Sequence, residues 1–392
     1  MKYSPLVERI GGDGSNAWEI HYRGMRRVRA GEDVIMLSIG DPDFDTPAPV
    51  VAAAKQALDR GRTHYPEIVG ELPLRQAIAD YHLKTNGQDA QPDQIVVLAG
   101  AQCALFAAAM CVLAPGDEVI ALEPMYVTYE AVVGATGADL KMVPLRAERG
   151  FHLDLADLEA AIGPRTRAIM ISSPNNPTGA VMTRAETEAI AAIARAHDLW
   201  VLSDEVYASL VFTDDRVSIA SLPGMAERTA TVSSLSKSHA MTGWRVGWVV
   251  GPVELARHVA KLALCMLYGS PPFVQDAALA ALTDPVAIAE VARLHDTIRA
   301  RRDLVFARLN QVPRLALHRP EGSMFMLLDV RQTGLSAFAF ADRLLAEEAV
   351  AVLPGDAFGP NAEGHVRISL GLDASLLETA CARMAAFVGR LS

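Results

Sequence analysis

Cysteine is nearly missing from this chain. Four occur in 392 residues (Cys103, Cys111, Cys265 and Cys381), with no C-x-x-C pair and apolar neighbours throughout. That spacing argues against a disulfide framework or a cysteine-ligated zinc site and predicts reduced, buried packing residues. Long hydrophobic runs are missing too. No apolar stretch reaches bilayer length and no apolar leader opens the sequence, so a soluble, cytoplasmic protein is expected, with no membrane partner. Basic charge is outnumbered, 36 Lys and Arg against 46 Asp and Glu, for a formal net charge of -10. Such a balance disfavours nonspecific nucleic-acid binding. The exception is a basic cluster, Arg23, Arg26, Arg27 and Arg29, which reads as a solvated or interface helix face and not as a polyanion site.

Apolar residues are what the chain has in plenty. They make up 51% of it, enough for a large core shared between two or three domains, or between one large domain and a smaller one. "PAPVVAAAKQALDRG" predicts an amphipathic helix ending at Gly61, and "AQCALFAAAMCVL" and "RAETEAIAAIARAHD" read as further helices. Among them stand "QIVVLAG", "DEVIALEP", "DLKMVPL", "TRAIMISSP", "LWVLSDE", "TATVSSLS" and "VGWVVGP", each short, apolar and bounded by turn residues. Runs of this length between helices imply a mostly parallel sheet covered on both faces. After about residue 285 the texture changes: a long charged helix precedes the strand-like "SMFMLLDV", "VAVLPG" and "HVRISL", a helix "AFAFADRLLAEEA" and a final helix. The expected organisation is a large domain over 48–285 and a small α/β domain over 286–392, to which the segment 1–47 contributes.

The chemistry-bearing residues sit where such strands end, which is where α/β sheets bind ligands. "VVLAGAQ" places Gly100, Ala101 and Gln102 between a strand and a helix start, whose free N–H groups favour an anion. "ISSPNNPTG" ends a strand with Asn175, Asn176, Pro177 and Gly179, and "LSDEVY" ends another with Asp204, Glu205 and Tyr207. Each has a plainer reading: a glycine turn, a loop, a helix-capping carboxylate. "SSLSKSHAMTGWRVG" changes the balance. Its lone Lys237 is crowded by serines between buried strand-like segments, and burial favours the neutral, nucleophilic amine. Arg245, Ser234 and the Gly100 turn suit a phosphate. Asp204 suits a protonated ring nitrogen, and Tyr207 with Asn176 a phenolate oxygen. That set of partners fits pyridoxal phosphate, whose ring is an electron sink.

"SLSKSHAMTGWRVG" also resembles the lysine signature of the class I/II aminotransferases of fold type I. "GDPDFDTP", "HYPEIVGELPLRQAIA", "SSPNNPTG", "SDEVY", "VLPGDAFG" and "HVRISL" look like that family's blocks, in its order and over nearly the whole chain. The resemblance implies a fold type I transferase: α/β, with a mostly parallel central sheet in a large domain and a smaller α/β domain. It makes Lys237 the residue that binds pyridoxal 5'-phosphate and later carries the proton. Asp204 then faces the ring nitrogen, Tyr207 and Asn176 face the ring hydroxyl, and Tyr126 stacks on the ring. Gly100, Ala101, Gln102, Ser234 and Arg245 take the phosphate, with Tyr65 from a neighbouring subunit of a homodimer that shares its active sites. Arg367 clamps the substrate carboxylate with help from Asn176 and the backbone of Gly40, and no metal is involved.

Within the family, "AGAQCAL", "EPMYVTYEAV", "LALCMLYGSP" and "SKSHAMTGWRVGWVVGP" are similar to stretches of bacterial arginine–pyruvate transaminases. This implies amino transfer from arginine to pyruvate in amino-acid metabolism. An aspartate or other amino-acid aminotransferase is the nearest alternative, although "CMLYGSPP" lacks the arginine that one aspartate subgroup carries there, and Gln102 stands where another carries lysine. A C–S β-lyase and a non-catalytic regulator on the same scaffold are the other two. Carboxylates that would meet a cationic side chain are not apparent in the sequence, and Asp13 and Glu19 read as ordinary surface residues.

Overall fold

The computed structural model describes residues 1–10 and 15–391. Thirteen strands are found among them: β1 (Ile35–Met36), β2 (Ile95–Leu98), β3 (Glu118–Glu123), β4 (Asp139–Pro144), β5 (Thr166–Ser172), β6 (Trp200–Asp204), β7 (Thr229–Ser234), β8 (Gly247–Val250), β9 (Ala316–Leu317), β10 (Phe325–Asp329), β11 (Val350–Ala351), β12 (Leu353–Pro354) and β13 (His365–Ser369). The seven short apolar runs of the middle of the sequence are the seven strands of one sheet, ordered β2-β8-β7-β6-β5-β3-β4. Six point the same way, and β8 runs antiparallel to both of its neighbours.

Why these runs carry no polar alternation is plain from their packing. Alternate residues of β5 serve different cores: Ala168 and Met170 join the helix Ala101–Val112 on one face, Ile169 and Ile171 join the helix Arg184–Ala196 on the other. A strand with helices on both sides has no solvent face, so its pattern is continuous. The helix Ala48–Asp59 stops just short of Gly61, as its sequence predicts.

The C-terminal strands form a four-stranded antiparallel sheet, β12-β13-β10-β9. The long helix before it, Pro285–Leu309, is capped by Asp284, whose Oδ1 accepts the Val286 N–H at 2.8 Å. "VAVLPG" is not one strand. Its β11 half pairs in parallel with β1, while its β12 half turns to the edge of the four-stranded sheet, a place that tolerates Pro354. The N-terminal chain is thereby tied to residues more than three hundred positions away.

Two surface readings can be compared directly. Arg23, Arg26 and Arg27 lie on the helix Ser15–Arg29 and pair with Asp342, Glu19 and Glu32, so this basic face is internally compensated. Glu19 is accordingly a surface partner of Arg26, whereas Asp13 lies outside the described residues. The four cysteines are free, but the expectation of burial holds in full only for Cys381; Cys103 and Cys111 are half-buried, and it fails outright for Cys265. It is exposed near the end of the helix Val253–Met266, where an apolar sequence neighbourhood belongs to only one face of the helix. No helix among the described residues is long and apolar enough to cross a membrane.

Candidate active site

Because β2, β3, β5, β6 and β7 point the same way, their carboxyl ends share one edge of the sheet, and the loops leaving them meet there. Gly100–Gln102 follow β2, Tyr126 follows β3, Asn176 follows β5, Asp204 closes β6 with Tyr207 just beyond, and Ser234 closes β7 ahead of Lys237. Arg245 precedes its strand, yet it joins them, because reversed β8 begins at this same edge. Gly40, beyond β1, and Arg367, within β13, arrive from the other part of the chain. Ala101, Gln102, Tyr126, Asn176, Asp204, Tyr207, Ser234, Lys237, Arg245, Arg367 and Gly40 line one cavity of about 340 Å³.

The Gly100 turn is shaped by what it must hold. Gly100 has φ 86° and ψ 166°, a region open almost only to glycine, and a Cβ there would stand 2.6 Å from Arg245 Nη2. Across the turn, a Cβ on Gly247 would meet the Ala101 nitrogen at 2.6 Å. Two missing side chains thus let β8 press against the start of the helix Ala101–Val112 with Arg245 alongside. Arg245 itself has φ 55° and donates to the Thr242 carbonyl at 2.7 Å. A non-glycine residue in this left-handed conformation is held there at a cost of about 1–3 kcal/mol, as functional sites often require.

Lys237 donates from Nζ to the Gly40 carbonyl. Burial pulls its pKa from 10.5 down to about 8; Asp41 opposes the fall, and Arg367 and Arg245 add to it. Asp204 is pushed the other way, above the usual carboxylate range, chiefly by burial. Its Oδ2 accepts the Tyr129 hydroxyl at 2.7 Å and its Oδ1 the Val206 N–H at 3.2 Å. No helix begins at Asp204, so its alternative reading as a helix cap is replaced by these contacts. Glu205, beside it, turns into a separate buried network with Arg216 at 2.5 Å, Ser218 at 2.6 Å and Asn86 at 2.9 Å. Tyr207 is buried edge-on against Phe325, ring centres 5.8 Å apart, and burial raises its phenol well above the ordinary value, as burial also raises that of Tyr126.

Arg367 is a buried cation, only 3% exposed. Its Nη1 donates to Asn176 Oδ1 at 3.0 Å and its Nη2 to the Ser38 carbonyl at 2.8 Å, while Nε has no partner. Phe325 lies under the guanidinium, 4.1 Å from the ring centre, and Phe358 at 4.9 Å. Among the described residues no carboxylate pairs with it. Burial lowers its pKa to about 10, so the charge stays in place at neutral pH without a counter-ion. Such an ion is costly unless an anion joins it.

Tyr65 is the one candidate that stands apart. It is 82% exposed, outside the cavity of its own chain, with its ring 4.8 Å from Tyr268. Residues that sequence reasoning did not single out also enter the cavity wall: Trp18, Asp41, Tyr129, Thr242 and Phe325. Tyr129 and Asp41 lie inside motifs quoted for other reasons, but no local pattern marks their partners. Thr242 Oγ1 donates to Asp41 at 2.8 Å, and Trp244 reaches Thr46 at 3.0 Å, fastening the Gly40–Thr46 segment over the lysine loop.

A family model described as aminotransferase class I and II matches residues 32–384. The chain belongs to the class I and II aminotransferases. It is 57% identical to an arginine–pyruvate transaminase of Pseudomonas aeruginosa over 98% of each chain, and 40% identical to aromatic-amino-acid aminotransferase 2 of Thermococcus litoralis over 90% of this chain and 91% of the relative. Among solved structures, aspartate aminotransferase from Thermus thermophilus with maleate superposes with a TM-score of 0.93 at 35% identity, covering 98% of this chain and 99% of the other. The enzyme is therefore a transaminase of fold type I, and pyridoxal 5'-phosphate is its cofactor.

The residues of this aminotransferase fit that cofactor. A buried amine lies in the same cavity as a carboxylate at a strand end, and the glycine-shaped helix start with Arg245 and Ser234 supplies donors for a phosphate. No cluster of His, Cys, Asp or Glu that could hold a metal ion is found among the described residues.

Proposed function

We propose that this aminotransferase takes L-arginine as its preferred donor and pyruvate as its acceptor, and that it works in the cytoplasm as a homodimer in which Tyr65 reaches the partner's phosphate site. We assign residues 48–285 to the large cofactor-binding domain, and 286–392 with the segment 1–47 to the small one. The observation that carries the donor is the 57% identity, end to end, to an arginine–pyruvate transaminase. Asp41 supports it. A long cationic side chain needs negative charge where it loses water, and Asp41 is a cavity-lining carboxylate with one oxygen held by Thr242.

The roles of the residues follow from their environments. Bound, pyridoxal phosphate supplies an electron sink and carries the amino group between the two substrates. Ala101, Gln102, Ser234 and Arg245 hold its phosphate, Asp204 its ring nitrogen, Asn176 and Tyr207 its ring hydroxyl, and Tyr126 its face. Lys237 is the nucleophile and the proton carrier. With its pKa near 8, about one amine in ten is neutral at pH 7, against about one in three thousand at the ordinary value. The same amine accepts the proton that leaves the substrate Cα. Arg367, charged, buried and with no carboxylate partner among the described residues, binds the α-carboxylate common to all donors and so fixes the direction of the Cα–H bond.

A panel of amino donors, each assayed against pyruvate and 2-oxoglutarate, tests the proposal. Arginine with pyruvate should exceed alanine and aspartate in kcat/KM by about tenfold or more. Comparable efficiency for aspartate, or a strong preference for 2-oxoglutarate, overturns the substrate assignment and leaves the transaminase standing.

A further inference from the structure

We propose that Tyr129 is a positioning residue that holds Asp204 ionised, and thereby keeps a proton on the ring nitrogen of the bound cofactor. The inference rests on Asp204 as the partner of that nitrogen. Tyr129 opens the helix Tyr129–Thr136, is 2% exposed, and sends its hydroxyl to Asp204 Oδ2 at 2.7 Å.

The reason lies in how differently two adjacent carboxylates are supported. Glu205 has the Arg216 guanidinium and donors from Asn86, Ser203 and Ser218. Asp204, which lines the cavity, touches no cation among the described residues, and its only donors among them are the Tyr129 hydroxyl and the Val206 N–H. Between a buried carboxylate and a pyridine-type nitrogen, one proton has two homes. On the nitrogen it leaves an ion pair; on the carboxylate it leaves two neutral groups. A dry site favours the neutral pair, and each donor to the carboxylate favours the ionic one. Burial and the neighbouring Glu205 both raise the pKa of Asp204, and the Tyr129 hydrogen bond opposes them. Tyr129 is a dependable donor because its own phenol is held protonated far above neutral pH, first by burial and then by Asp204. An electron sink needs the protonated ring, so one of the two hydrogen bonds that support that state comes from a residue whose partner no sequence motif marks.

Tyr129→Phe removes the hydroxyl and leaves the ring packed. The test is the 15N NMR shift of the ring nitrogen in the holoenzyme reconstituted with 15N-labelled pyridoxal phosphate. It should move from the protonated toward the neutral position in the variant, while kcat falls about tenfold or more and KM for the donor changes less than about twofold. In an Asp204→Asn background the same substitution should leave kcat unchanged, because the carboxylate it serves is gone. Replacing Tyr129 by 3-fluorotyrosine, a stronger donor of the same shape, should hold the nitrogen fully protonated and retain kcat, a reading that does not depend on the phenylalanine variant folding. An unmoved 15N shift in Tyr129→Phe, equal losses of kcat in both backgrounds, or a neutral nitrogen in the fluorotyrosine enzyme would overturn the proposal.

Discussion

Replacing Lys237 by methionine should stabilise the cofactor-free protein at neutral pH, and by an amount that depends on pH in a calculable way. The amine's pKa is 10.5 ordinarily and about 8 in the folded chain, where burial disfavours its charge. At about 1.4 kcal/mol per pH unit, carrying the charged amine inside costs about 3 kcal/mol below pH 8. The sign follows from proton counting. Between pH 8 and 10.5 the unfolded chain keeps a proton that the folded chain has released, so this group makes stability rise with pH across that window and contributes nothing further above it. Methionine has the same reach and no charge. At pH 7 it removes the burial cost and forfeits one hydrogen bond to the Gly40 carbonyl, worth about 1 kcal/mol, for a net gain of about 2 kcal/mol. Urea titrations of both proteins, stripped of cofactor and at one protein concentration, give the difference directly at pH 7, 8, 9 and 10, since all other titrating groups cancel. The gain of the variant should shrink steadily and vanish or change sign by pH 10. A difference that stays constant to within about 0.5 kcal/mol over that range would refute a depressed lysine pKa, and with it the account of why this amine is a nucleophile at neutral pH.

Gly100→Ala forces an L side chain into a glycine-only conformation against Arg245; a strain of about 1–3 kcal/mol should weaken pyridoxal phosphate binding by about 5- to 150-fold, read by equilibrium dialysis, with the fold retained by circular dichroism. Arg367→Ala should lower kcat/KM for every donor alike, whereas Asp41→Asn should lower the arginine-to-alanine ratio of kcat/KM about tenfold; an unchanged ratio removes Asp41 from side-chain recognition. Mixing inactive Tyr65→Ala and Lys237→Ala chains should restore activity, because only a tyrosine that crosses between subunits gives the hybrid dimer one complete site; no recovery in mixtures shown to exchange subunits would place Tyr65 in its own chain's site or in none.

Much of this site is legible because a parallel sheet converts local signals into proximity. Strand-length apolar runs that end in glycine, asparagine, aspartate or lysine mark loops that leave a common edge, so Gly100, Asn176, Asp204 and Lys237 can be gathered from sequence before any coordinates are known. Arg245 is harder, since its membership depends on β8 being reversed, and "VGWVVGP" reads the same in either direction. Arg367 carries no local sign at all: "HVRISL" is a strand with one basic residue, and only the resemblance singled it out. Its chemistry comes from what packing withholds. Asn176 and the Ser38 carbonyl take two of its donors and Phe325 and Phe358 flank its plane, but among the described residues no acidic side chain reaches it. Tyr129 and Asp204 lie 75 positions apart and meet only because a helix start lies against the end of β6. Composition and spacing can report that a charge exists. Whether it is satisfied is decided by elements distant in sequence, and here the unsatisfied cation, more than any motif, says what kind of molecule the cavity takes in: one that brings its own carboxylate.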